Sequence, residues 1–183
     1  RDLILVTKNR YRGLRVYVDE GNKDIEERLS FLLTHAKGSI LDVGTYDGYF
    51  AHELDKRYPG VIGVDMMEES KTFFEKERKE FYSHGNASIV ISFAEELPFN
   101  NNSFDTVIIS HTLEHVFDPG ASLLEAVRVC VSGGNVIIIV PLDIGNDPTH
   151  IRVIEEEWVR KKCEPYGEVS QRFVVGDGVS YIL

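Results

Sequence analysis

The stretch Ser39-Ile40-Leu41-Asp42-Val43-Gly44-Thr45-Tyr46-Asp47-Gly48 decides the fold. An apolar run ends in a carboxylate, a glycine turn follows, and Tyr49-Phe50-Ala51-His52-Glu53-Leu54-Asp55-Lys56 continues as a helix. This is the pattern of a buried parallel strand that delivers its C-terminal end to a helix N-terminus, where open α/β sheets bind ligands. Further on, a second apolar run, Val61-Ile62-Gly63-Val64, ends in Asp65. An acid there is placed to accept both hydroxyls of a ribose. Together the two strand ends point to an adenosine-containing cofactor.

Two such cofactors compete. A dinucleotide needs the spacing G-x-G-x-x-G, because its pyrophosphate must approach the backbone closely and rest on the helix dipole. This chain has Asp42-x-Gly44-x-Tyr46-x-Gly48 instead, with a carboxylate where a diphosphate would be repelled. S-adenosylmethionine carries no phosphate. Its sulfonium and ammonium are attracted to a nearby carboxylate, so the residues favour it over NAD.

At this point the sequence resembles the class I S-adenosylmethionine-dependent methyltransferases, over roughly residues 39–183. Asp42, Gly44 and Gly48 match the first family motif, with Tyr46 in place of its central glycine, close to where the methionine portion should lie. Asp65 matches the ribose-binding acid, and the resemblance puts Met66 on the adenine face. Ala94-Glu95-Glu96-Leu97-Pro98-Phe99 looks like the segment along the adenine edge. Phe93 stands where many relatives have an aspartate, so the backbone of Ala94 or the side chain of Glu95 is expected to read adenine. Asn102 to Ser110 resembles the turn and fourth strand, followed by His111-Thr112-Leu113-Glu114-His115-Val116-Phe117-Asp118-Pro119. Ser110 and His111 are then expected beneath the methionine, and Glu114 and His115 toward the acceptor.

The resemblance implies a Rossmann-like three-layer αβα sandwich of α/β class, with a seven-stranded, mostly parallel sheet and a C-terminal antiparallel hairpin. At 183 residues the length suits one domain. Residues 1–37 read as a strand and helix extension over the cleft, and residues 38–183 as the cofactor-binding core. Leu14 to Val18 alternates as a short strand. Asn22 to Lys37 carries apolar residues at helical spacing, and so does Glu68 to His84, whose Phe73, Phe74, Phe81 and Tyr82 read as core. Ser88 to Phe93 and Phe104 to Ser110 read as strands. Ala121 to Val131 reads as a helix with Leu124, Val127 and Cys130 inward, stopped by Gly133-Gly134. Asn135 to Val140 is a strand apolar on both faces, and Glu155 to Cys163 a last helix. Glu168 to Val175 and Val179 to Leu183 flank Gly176-Asp177-Gly178 as a hairpin. The loop from Pro141 to Ile154, with Asp143, Asn146, Asp147, Thr149 and His150, is expected to be the substrate lid.

Composition sets limits. The formal charge of −10 argues against nucleic acid as an unaided partner. Lys8, Arg10, Arg12 and Arg15 form an acid-free basic cluster, which reads as a solvated face or as a grip on an anionic substrate group. Two cysteines, Cys130 and Cys163, speak against a disulfide framework and for a reducing cytoplasm. No membrane-spanning run is present in the sequence. Oligomeric state is open.

Methyl transfer needs an acceptor held in line with the departing sulfur. A hydroxyl or amine acceptor also needs a proton acceptor poised near neutrality. His115 and His150 are the candidates, with His111 nearby. The expected reaction is transfer to oxygen or nitrogen of a small-molecule or glycan-like acceptor. Two alternatives stay open. A resemblance to metal-dependent O-methyltransferases, including enzymes acting on RNA 3′ ends, would make His111, Glu114, His115 and His150 ligands of Zn, Mn or Fe. A non-catalytic partner that keeps the fold is the other, suggested by Tyr46 and Phe93.

Overall fold

The computed structural model describes residues 23–142, 147–167, 169, 171–175 and 178–183. The expected strand at Leu14 to Val18, the basic cluster, Asp143, Asn146, Glu168 and the Gly176-Asp177 turn lie outside the described residues.

The described chain opens with helix α1 (Lys23–His35), which carries Asp24 and Glu26 in its first turn and buries Ile25, Phe31 and Leu32. Acids at that end complement the helix dipole. Strand β1 (Ile40–Val43) leads to helix α2 (Tyr49–Asp55). Strand β2 (Ile62–Asp65), helix α3 (Glu68–Phe81) and strand β3 (Ser88–Ile91) follow. Then come strand β4 (Phe104–Ser110), helix α4 (Pro119–Val129) and strand β5 (Cys130–Pro141). Helix α5 (Glu156–Cys163) precedes strands β6 (Gln171–Val175) and β7 (Gly178–Ile182).

The strands pair in the order β3-β2-β1-β4-β5-β7-β6. β1 to β5 run parallel, and β7 lies antiparallel between β5 and β6. This is the mixed, Rossmann-like sheet with a C-terminal antiparallel hairpin. Among the described residues β3 pairs only with β2, so it forms one edge of the sheet.

The two-residue strand period sorts the central side chains onto two covered faces. On one face Val107, Ile109, Val136, Ile138 and Val140 share a core with Leu123, Ala126 and Val129 of α4. On the other, Ile108, Ile137 and Ile139 meet Leu32 of α1, Ala51 and Leu54 of α2, and Phe74 of α3. Each fully buried aliphatic side chain contributes ~1.5–3 kcal/mol.

Three expectations need correction. Leu124 was expected inward but is 48% exposed; the buried stripe is Leu123, Ala126 and Val129, one residue earlier. Cys130 misled the phase, because it belongs to β5 and not to the helix. The Gly133-Gly134 pair does not stop the helix, which ends at Val129. The pair sits within β5, where the β4 register jumps between Phe104 and Thr106. Gly133 there adopts a φ of 77°, and a Cβ on Gly134 would lie 2.8 Å from the Asp105 carbonyl oxygen, so the pair forms a bulge. Finally, Phe81 is exposed, unlike Phe74 and Tyr82.

Candidate active site

Because β1, β2, β4 and β5 are parallel, their C-terminal tips gather at one edge of the sheet. Asp65 ends β2, Ser110 ends β4, and Val43 and Pro141 end β1 and β5 at the same edge. This is the ligand edge of an open α/β sheet.

The β1 turn is held from three directions. The amides of Gly44 and Thr45 both donate to the Val64 carbonyl, at 2.7 and 2.9 Å. The Tyr46 amide donates to Asp65 Oδ2 at 3.0 Å, and the Met67 amide to Oδ1 at 2.9 Å. Thr112 Oγ1 donates to the Val43 carbonyl at 3.0 Å, and a Cβ on Gly44 would lie 2.2 Å from that same oxygen. With its φ of 80° as well, Gly44 admits no side chain. Tyr46 has a φ of 51°, a left-handed conformation that explains why the family pattern has glycine here. Its ring turns toward α3, with its centroid 5.7 Å from that of Phe73. Met66, behind Asp65, is 51% exposed.

Three carboxylates share this turn. Burial pushes Asp42 up to about 6, with Asp47 and Asp65 adding repulsion, while a 2.7 Å hydrogen bond from Thr45 Oγ1 opposes the rise. Burial also raises Asp47 and Asp65 above the usual carboxylate range. Asp47 was not singled out in the sequence; its Oδ1 accepts the Tyr49 amide at 3.1 Å at the start of α2. The signal lay inside the quoted stretch, as an acid just before the motif's last glycine. A crevice of mutually repelling acids suits a cation, and S-adenosylmethionine has two positive centres on its amino acid end. Ser110 adds a buried hydroxyl with no hydrogen-bond partner among the described residues. The residues present fit that cofactor.

The adenine-edge segment is anchored through Glu95. Ala94 is buried, while Glu95 Oε1 accepts the amides of Phe117 and Asp118 at 2.9 and 3.1 Å. Glu95 therefore ties this segment to the start of α4. A shallow groove of about 310 Å³ lies beside it, lined by Phe93, Glu95, Glu96 and Phe117.

The expected acceptor-side residues do come together. Glu114 is fully buried, and its Oε1 lies 3.7 Å from His111 Nδ1 and 3.9 Å from both His115 Nε2 and His150 Nε2. The rings of His115 and His150 meet edge to face, with centroids 4.8 Å apart. Burial lowers His111 to about 3 and also lowers His115, so both imidazoles are neutral at physiological pH. His111 itself continues the sheet, its amide donating to the Ile139 carbonyl at 2.8 Å with a φ of 52°. Thr149, which the sequence marked only as part of a lid, accepts a 3.0 Å hydrogen bond from His115 Nδ1 through its carbonyl. Thr112 and Thr149 act through cross-element contacts that no spacing along the chain reveals.

Comparison with known proteins bears on family and fold. Residues 41–138 match the family described as "Methyltransferase domain". A ubiquinone/menaquinone biosynthesis C-methyltransferase of Geobacter sp. (strain M21) is 30% identical over 105 residues, which cover 56% of this chain and 45% of that protein. The chain thus spans about half the length of the curated relatives it matches. The crystal structure of a SAM dependent methyltransferase from Aquifex aeolicus superimposes with a TM-score of 0.74 at 22% identity, covering 100% of this chain and 98% of that one. The PH0226 protein from Pyrococcus horikoshii gives 0.75 at 18% identity, covering 91% and 92%. At these identities the structures speak to fold alone, and the family match over more than half the chain completes the assignment: the chain belongs to the methyltransferase-domain family.

Proposed function

We propose that this chain transfers a methyl group from S-adenosylmethionine to an oxygen or nitrogen of a small-molecule or glycan-like acceptor. The observation that carries the reading is the acid-lined turn at the β1 and β2 tips, with an imidazole cluster beside it in the loops after β4 and β5. When bound, the cofactor supplies an electrophilic methyl on a sulfonium.

The chain's own residues then have four tasks. Asp65 accepts the ribose hydroxyls, held in place by the Tyr46 and Met67 amides. Asp42 and Asp47 set a negative potential for the cationic end, within the turn shaped by Gly44, Tyr46 and Gly48. Ser110 and His111 line the floor beneath the methionine, and Met66 with Ala94 flanks the adenine. His115 or His150 accepts the proton that a hydroxyl or amine must lose. Both face the same buried carboxylate, Glu114.

The relatives named C-methyltransferases support a rival acceptor atom, a carbon. Isotope-labelled S-adenosylmethionine offered with phenol, amine and glycan pools, followed by NMR of the labelled methyl, separates oxygen, nitrogen and carbon products. Calorimetry tests the core of the reading. Wild-type protein should bind S-adenosylmethionine, and Asp65→Ala should weaken it by ~1.5–3 kcal/mol, as for a lost charge-assisted hydrogen bond. Absence of binding at millimolar cofactor would remove the enzyme reading and leave the non-catalytic one.

A further inference from the structure

We propose that Glu114, His115 and His150 bind one divalent transition-metal ion on the acceptor side of the crevice. One ligand atom from each residue lies within 4.8 Å of the other two. His115 Nε2 and His150 Nε2 stand 3.9 Å from the same oxygen, Glu114 Oε1. That separation is too long for a hydrogen bond. It matches ligands spaced around a small cation, since bonds of about 2.0–2.2 Å need only a modest inward shift of the rings.

The ligands are positioned before any ion arrives. His115 donates through Nδ1 to the Thr149 carbonyl, which fixes the tautomer with the lone pair on Nε2, toward Glu114. A backbone carbonyl orienting a ligand imidazole is the usual support of a metal site. The Thr149 carbonyl belongs to the loop that supplies His150, and that loop is clamped to the Glu114 turn. The Ile151 amide donates to the Glu114 carbonyl at 3.1 Å, and Arg152 donates to the carbonyls of Val116, Leu113 and Phe117. Asp147 Oδ1 accepts from both the amide and the hydroxyl of Thr149, at 2.9 and 2.6 Å. His111 is not one of the three. It approaches the same carboxylate oxygen through Nδ1, while its Nε2 packs against Gly178 of β7.

Two imidazoles and one carboxylate suit Zn2+, with Mn2+, Fe2+ and Co2+ as competitors, rather than Mg2+. Three protein ligands leave a position open. An acceptor hydroxyl bound there would be more acidic and would pass its proton to solvent water, so the ion favours an oxygen nucleophile; with their lone pairs on the ion, His115 and His150 would hold it rather than accept the proton. This last step rests on the methyl-transfer reading; the ion site itself does not.

The test uses the whole chain, stripped with EDTA and titrated with Zn2+ and, separately, Co2+. One equivalent of Zn2+ should bind, and Co2+ should give visible d–d absorption bands. His150→Ala, in the clamped loop, should weaken Zn2+ binding by at least about 100-fold, since altering even a residue that only supports a ligand costs about 10–100-fold; His115→Gln serves as a second variant, with circular dichroism checking the fold. No uptake by the wild type, or equal affinity in wild type and both folded variants, overturns the site. S-adenosylmethionine calorimetry on the same stripped sample keeps the two readings apart. Cofactor binding without Zn2+ uptake defeats the metal alone, whereas Zn2+ uptake without cofactor binding leaves the ion site standing and defeats the enzyme reading.

Discussion

Asp42 concentrates the conflict between stability and binding in one side chain. Its carboxyl sits at about 6 in the fold against an ordinary 3.8, so ionising it opposes folding. The stability associated with the protonated form is complete below about pH 4 and is lost as pH rises through about 6. Asp42→Asn, which can still accept from Thr45, should therefore stabilise the cofactor-free protein at pH 7–8 by ~1–3 kcal/mol. The same change should weaken S-adenosylmethionine. In the wild type a bound cation favours the ionised carboxylate, so cofactor affinity should fall as pH drops below about 6, with proton release on binding near that pH. Calorimetry in buffers of different ionisation enthalpy measures this directly; affinity flat from about pH 5 to 8 would contradict it.

Among the elements, helix α4 shows most clearly how local chemistry sets a boundary. Asp118 Oδ1 accepts the amides of Gly120 and Ala121 at 2.8 and 3.0 Å, and Pro119 occupies the first helical position. Asp118→Ala should destabilise the protein by ~1 kcal/mol, as loss of an N-cap does, with denaturant titration as the measurement. The places of the described strands were legible, because buried parallel strands are short apolar runs ending in recognisable turns; their order in the sheet came only with the structure. Asp42, Gly44, Asp65 and Ser110 were legible for the same reason: each sits at a strand tip. The helix phase at Leu124 and the bulge at Gly133-Gly134 were not. A cysteine counts as apolar in either a helix or a strand, and paired glycines read equally as a stop or as a bulge. Asp47 was overlooked although its bond to the Tyr49 amide is local, whereas Thr112 and the Thr149 carbonyl escaped because their roles arise only where elements meet. Glu95 was legible as a site but not in its bonds, which run to the start of α4.

For the whole molecule, the two cores and the ligand edge should respond together to anything bound at the strand tips. Gly44 against Thr112 joins the β1 turn to the end of β4, and the hydrogen bond from Tyr46 to Asp65 joins it to β2. S-adenosylmethionine at 100 times its dissociation constant should add ~2.7 kcal/mol. For a domain of this size that raises the melting temperature by roughly 5–10 °C. Thermal scans with and without cofactor test it, and no shift would argue against a site at these tips. Among the described residues no helix is long and apolar enough to cross a membrane.

The outermost strand carries a practical consequence. At the edge of the sheet among the described residues, β3 is Ser88-Ile89-Val90-Ile91, without a charge or proline to discourage another strand from adding to it. The formal charge of −10 keeps copies apart at low ionic strength, and salt screens that repulsion. Concentrated stocks should thus clump as sodium chloride is raised, visible by light scattering, and Ser88→Lys should suppress the effect. If clumping is insensitive to that lysine, the sticky surface lies elsewhere.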